Sequence, residues 1–221
     1  MKTPEFDRFI AVDWSGARGK NLIGIKIAEA KAGDGSPNLI RPAKASNWSR
    51  EGVVQWLNQK AKSSNILVGF DFSFSSPFLD QDCYFPEMEF GARSAKTLWR
   101  DVEAICKDDP DLYAGSLVAD PDFAPYFLTA KERGDKFKRR FRKTEAECRE
   151  KGFGRAESMF HLIGPSQVGL GSFSGMRALI RLKGFSIWPF DQNLDGSVAV
   201  EIYTRLFLTN AQAGHKKIKS I

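Results

Sequence analysis

Short apolar runs that each end in a single carboxylate set the pattern of this chain. Phe9-Ile10-Ala11-Val12 runs into Asp13, with Trp14-Ser15-Gly16 directly after. Ile66-Leu67-Val68-Gly69-Phe70 runs into Asp71, followed by Phe72-Ser73, and Val198-Ala199-Val200 runs into Glu201-Ile202-Tyr203. Runs this short, bounded by Gly or polar residues, predict buried strands. A second strand is predicted over residues 21–28, hairpin-paired with the first, and a third over 39–43. Ser49 reads as the N-cap of a helix carrying Val53, Trp56, Leu57 and Ala61 at helical spacing, closed by Asn65. Three strands, a helix and a further strand parallel to one of them predict a mixed α/β layer with a helical crossover.

The segment 77–195 is patterned differently. Ala95, Leu98, Trp99, Val102 and Ile105 predict an amphipathic helix. A Gly-rich loop over 164–172 leads into another helix with Met176, Leu179, Ile180 and Leu182 partly inward, and Ser172 is its candidate N-cap. Gly184 ends that helix, and 185–190 returns to extended structure. No repeat or low-complexity linker interrupts the chain. The prediction is a single domain over 1–221 with a large, mostly helical insertion at about 77–195, between the fourth and fifth core strands.

Composition narrows the class. Hydrophobic residues make up 42% and charged residues 27%, as in ordinary globular proteins. The N-terminus lacks an apolar signal-peptide core, and no segment approaches the ~20 apolar residues of a membrane span. Cys83, Cys106 and Cys148 are well separated with no C-x-x-C, which argues against a disulfide framework or a zinc site and fits a cytoplasmic setting. The net charge of +6 tilts toward polyanionic partners, with nucleic acid or a nucleotide expected.

The candidate chemistry rests on the acids. A strand-end carboxylate beside a core must be hydrogen-bonded, paired or metal-bound. One such Asp alone is readily satisfied by backbone N–H groups. Three from three strands suit a hard divalent ion, Mg²⁺ or Mn²⁺, with Asp13, Asp71 and Glu201 as metal ligands and catalytic residues. Such ions activate water against a phosphodiester without a His, Cys or Ser nucleophile. Candidate substrate-binding residues are Ser15 and Ser73 beside the acids, Gln167 in the Gly-rich loop, and Lys138, Arg139 and Arg142 in the basic run 136–143. That run reads in two ways. Its cations can neutralise phosphates while Phe137 and Phe141 stack, or it is a helix with both Phe at i, i+4 facing the core, the reading favoured here. The Gly-rich loop can cradle phosphate, although such loops more often serve tight turns. His161, in an apolar setting, reads as a packing residue.

Val12-Asp13-Trp14-Ser15-Gly16-Ala17, Val68-Gly69-Phe70-Asp71-Phe72-Ser73 and Val200-Glu201-Ile202-Tyr203 together resemble the ribonuclease H-like superfamily. More narrowly, they are similar to the "domain of unknown function 429" group of predicted nucleases, as are Gln167-Val168-Gly169 and Trp188-Pro189-Phe190-Asp191. The resemblance implies a ribonuclease H-like mixed five-stranded sheet, three antiparallel strands first, flanked by helices. It further implies metal-dependent phosphodiester cleavage, with Asp13, Asp71 and Glu201 holding the metal. Such folds close with a helix bearing a further Asp. No acid follows Glu201 here, and Asp191 or Asp195 are the candidates to substitute. Two alternatives stand beside this expectation. One is a catalytically inactive nucleic-acid-binding or interaction module on the same fold. The other is an ATP-dependent phosphotransferase of actin-like type, with residues 13–20 as its phosphate hairpin; that segment is not a Walker A loop.

Overall fold

The computed structural model describes residues 5–34, 36–88, 93–154, 156–164 and 167–204. Its sheet contains β1 (Arg8–Asp13), β2 (Lys26–Lys31), β3 (Asn38–Ile40), β4 (Ile66–Phe70), β5 (Phe185–Ile187) and β6 (Ser197–Glu201). The strand order is β3-β2-β1-β4-β6-β5. The first three are antiparallel neighbours, while β4, β6 and β5 run parallel to β1. The protein is therefore α/β with a six-stranded mixed sheet, one strand more than expected. The extra strand, β5, lies inside the 77–195 segment and extends the sheet beyond β6.

β1 alternates as a half-covered strand must: Ile10 and Val12 are buried, while Phe9, Ala11 and Asp13 are exposed. The buried set joins Val53 and Leu57 of α1 (Arg50–Lys60) and Phe173 and Met176 of α5 (Gly169–Arg181) in one core. Ser49 caps α1 as expected, its hydroxyl accepting from the Gly52 N–H at 3.0 Å. α2 (Ala95–Ile105) buries Ala95, Leu98, Trp99 and Val102, as its pattern predicts, and packs on α5 and on the short α3 (Gly115–Ala119). No helix among the described residues is long and apolar enough to cross a membrane.

Several expected elements differ. Strand β2 starts at Lys26, because Asn21 adopts a left-handed φ of 56° and the Leu22 N–H turns to the Trp48 carbonyl at 2.7 Å. The third strand is shorter than expected, and α1 ends before Asn65. Ser172 is not a cap: it lies inside α5 and its hydroxyl donates to the Val168 carbonyl at 3.0 Å. The largest correction concerns the basic run. Residues 137–142 form neither helix nor strand, and the helix α4 (Lys143–Glu150) begins only after them. Arg140 accounts for this. Its guanidinium is drawn inward to both Asp80 oxygens at 2.7 Å and to the carbonyls of Pro77, Cys83 and Tyr84. These partners, all from residues 77–84, hold Arg140 in a non-helical stretch where its N–H turns back to the Lys138 carbonyl at 2.9 Å. The closing helix implied by the resemblance would fall on residues from 205 onward, outside the described residues.

Candidate active site at the strand ends

The sheet register brings the three acids to one end of neighbouring parallel strands. Val12 pairs with Phe70, and Phe70 pairs with Glu201. The ladder continues as the Asp71 N–H donates to the Val12 carbonyl at 3.0 Å and the Ile202 N–H to the Phe70 carbonyl at 2.9 Å. These are the carboxyl ends of the strands, where open α/β sheets carry their ligand crevices. A cleft of about 1590 Å³ opens there, and Asp13, Asp71 and Glu201 all line it.

Strand alternation then divides the three. Side chains of successive residues leave a strand on opposite faces. Glu201 pairs with the fully buried Phe70, so it leaves on the helix-covered face. Asp13 and Asp71 each stand one residue beyond the buried Val12 and Phe70, which sends both to the other face. Among the described residues, no group of three or more His, Cys, Asp or Glu is assembled to hold an ion. The arrangement is a carboxylate pair with a third acid across the strand end.

The pair is electrostatically frustrated. Asp13 remains solvent-exposed, yet the crowding of its carboxyl by protein atoms raises its pKa above the ordinary value. The charge of Asp71 raises it further, and Lys26, its partner across the β1–β2 ladder, pulls the other way. Burial likewise raises the pKa of Asp71; the Thr204 hydroxyl, donating to Asp71 Oδ2 at 3.1 Å, opposes this and Glu201 adds to it.

Glu201 is held differently. Arg142 grips it with both guanidinium nitrogens, Nη1 to Oε2 at 2.7 Å and Nη2 to Oε1 at 2.5 Å. The Phe74 N–H also donates to Oε2 at 3.0 Å. Arg142 reaches Glu145 Oε1 through Nε at 2.8 Å and Ser73 Oγ through Nη2 at 3.0 Å. Glu145 returns a contact to the Arg142 N–H at 2.8 Å, which fixes the start of α4. Burial disfavours the Arg142 charge, but hydrogen bonding to Glu201 and the negative charges of Glu201 and Glu145 outweigh it and raise its pKa.

Three contacts fix the loop that follows Asp13. Trp14 Nε1 donates to Ser174 Oγ of α5 at 2.9 Å. The fully buried Arg50 donates to the carbonyls of Ser15, at 2.8 Å, and Ala17. Gly16 meets the first turn of α5 so closely that a Cβ there would lie 2.3 Å from the Gly171 nitrogen. Backbone cannot yield as a flexible side chain does, so Gly16→Ala is expected to destabilise the fold by about 1–3 kcal/mol, the usual range for overpacking. Chemical denaturation reads this directly. An unchanged midpoint would show that the loop is free to move off α5.

Of the remaining sequence candidates, Ser15, Ser73 and Gln167 line the cleft with Arg142. Lys138 and Arg139 do not line it; Arg139 instead pairs with Glu157 at 3.1 Å and touches the His161 ring. Asp191 binds Lys96 and accepts from the Ile187 N–H, and with Asp195 it lines a separate surface pocket. Neither acid completes the site. Sequence reasoning passed over Thr204 and Arg50, and gave Glu145 no role beyond its place in the segment 142–145 beside the cleft. The role of Glu145 had a signal, because an acid three residues after a helix cap has the spacing of a capping box. The chain matches no family model, no curated protein and no solved structure. The resemblance to ribonuclease H-like nucleases therefore rests on the quoted residues alone.

Proposed function

We propose that the chain is a divalent-metal-dependent nuclease of ribonuclease H-like fold. The observation that carries the reading is the Asp13–Asp71 pair, two carboxylates on adjacent parallel strand ends, raised in pKa and facing a cleft of substrate size. The antiparallel β1–β3 set followed by parallel β4 and β6 supports the fold assignment.

The donor chemistry fits Mg²⁺ or Mn²⁺. Mg²⁺ is commonly held by one or two carboxylates, with the rest of its shell left to water and substrate phosphate oxygens. Asp13 and Asp71 would supply those carboxylates. Bound there, the ion supplies a Lewis acid that activates water and offsets charge on a phosphoryl oxygen. The Thr204 hydroxyl orients Asp71 by its hydrogen bond. Ser15, Ser73 and Arg142 offer donors to a phosphodiester in the cleft, and Trp14 and Phe72 give its floor an apolar wall.

Adding Mn²⁺ to metal-free protein tests the reading. At about 100 times its dissociation constant, an ion that binds only the folded state stabilises it by ~2.7 kcal/mol. For a chain of this size that corresponds to a rise in Tm of about 5–10 °C. A Tm indifferent to millimolar Mn²⁺ would remove the metal from the reading. The Arg142 clamp on Glu201 favours a second reading, a nucleic-acid-binding module without catalysis. Salt-sensitive binding of DNA or RNA without cleavage distinguishes it.

A further inference from the structure

We infer that Arg142 is an exchangeable anion-binding group: it holds Glu201 back from the metal until a phosphate takes Glu201's place. The inference rests on the proposed metal reading and concerns how that site is regulated and which substrate group it recognises.

The geometry carries it in three steps. First, the Arg142–Glu201 contact is a two-pronged pair, the same fork that recognises a phosphate through two oxygens. A phosphodiester offers the guanidinium an equivalent partner. Second, Arg142 does not depend on Glu201 for its place. Its backbone N–H and Nε are both held by Glu145, so the head can change partners while the start of α4 stays put. Third, Glu201 is the last residue of β6, and its charge already reaches Asp71. The Phe74 N–H still holds Oε2, so release from Arg142 frees Oε1 to turn round the strand end toward the Asp13–Asp71 pair.

Charge sets the order of events. Asp13, Asp71, Glu145 and Glu201 all line the cleft, and the charge of Arg142 is already matched by Glu145 and Glu201. A cation bound beside Asp13 and Asp71 would lower the repulsion these acids present to an anion. The cation would then come first and the phosphate follow onto Arg142. In substrate-free protein Asp13 and Asp71 would hold the metal, and with substrate Glu201 would be available to join them.

Two affinities measured on four proteins test this: wild type, Arg142→Gln, Glu201→Gln and the double variant. Mn²⁺ binding is read by calorimetry. Binding of dimethyl phosphate, a minimal diester anion, is read by proton NMR on Mg²⁺-saturated protein. Arg142→Gln is expected to tighten Mn²⁺ about tenfold, near 1.4 kcal/mol, and to weaken dimethyl phosphate by a similar factor. Glu201→Gln is expected to leave Mn²⁺ within about twofold of wild type and to tighten dimethyl phosphate, because Arg142 has lost its competing partner. The double variant should bind Mn²⁺ like Glu201→Gln. A merely structural salt bridge predicts both affinities weakened in both single variants, and that pattern overturns the inference. So does Mn²⁺ tightening that survives in the double variant. If Arg142→Gln fails to fold, the Glu201→Gln arm decides alone: unchanged or weaker dimethyl phosphate binding overturns it. Absence of Mn²⁺ binding from wild type and every variant is a different result, and it removes the nuclease reading itself.

Discussion

Asp71→Asn is expected to abolish divalent-ion-dependent cleavage and, in metal-free buffer, to make the protein more stable. The first effect follows from the loss of one of two carboxylates that would hold the ion. Removing a single group that stabilises developing charge costs ~10²–10³ in rate, and a ligand of the ion itself belongs at or beyond the upper end. The second effect follows from frustration. Burial and the charge of Glu201 raise the Asp71 pKa, and the single opposing hydrogen bond from Thr204 does not cancel them. Asn keeps the shape and the acceptor for Thr204 while removing the charge.

The pH dependence gives this prediction a sign. A carboxyl whose pKa is higher in the fold than in the unfolded chain contributes stability that is fully present below the unfolded value. That contribution is lost as pH rises through the folded value. The stability difference, variant minus wild type, should therefore be smallest in acid and grow toward neutral pH. Glu29, Asp80, Glu103 and Asp191 titrate in the opposite sense, because their arginine and lysine partners lower them. They make both proteins lose stability in acid and cancel in the difference. Thermal melts in chelator at several pH values check it. A variant less stable than wild type at pH 7 would mean that the Asp71 charge is satisfied, and the argument for an ion would lose its basis.

Arg50→Met carries the largest expected loss of stability. The side chains of Arg50 and Asp111 are 0% and 1% exposed, and the charges lie 3.5 Å apart. Asp111 also accepts from the N–H groups of Arg50 and Glu51, capping the start of α1. Removing one member of such a buried pair strands the other, at a cost of about 3–5 kcal/mol. In a chain of this length that corresponds to a fall in Tm on the order of 10 °C. The effect should reach the site, since Arg50 also holds the Ser15 and Ala17 carbonyls of the loop after Asp13. Denaturant unfolding gives the first quantity, and Mn²⁺ affinity of the surviving folded fraction gives the second. A loss below ~1 kcal/mol would show that water reaches Asp111 and satisfies it.

The sequence made the strands legible because burial leaves a short, dense apolar signature. β1 and β6 end on the acid their runs pointed to, and β4 ends one residue before Asp71. What it concealed was parity. Whether Glu201 leaves the sheet beside Asp71 or on its far side depends on which residue pairs with Phe70, and no local pattern encodes that pairing. Arginines misled in a related way. Arg50, Arg140 and Arg177 look like surface residues in sequence, yet all three are buried and tie distant carbonyls and carboxylates together. The spacing of Phe137 and Phe141 suggested a helix, whereas the stretch is irregular and its Arg140 is held by residues 56 to 63 positions away, which local spacing does not encode. Arg142 was legible as a phosphate-facing cation but not as the clamp on Glu201, since its carboxylate partner lies 59 residues away.

The anchoring of residues 14–17 has a bearing on how the protein would respond to gradual damage. The loop beside Asp13 is immobilised by Ser174 and by Arg50, both members of the core. Its conformational entropy is surrendered when the chain folds, before any ligand arrives. Recognition and folding thus share one set of contacts. A substitution far from the cleft that loosens α5 or the Arg50 pocket would weaken ligand capture at temperatures where the chain is still almost wholly folded.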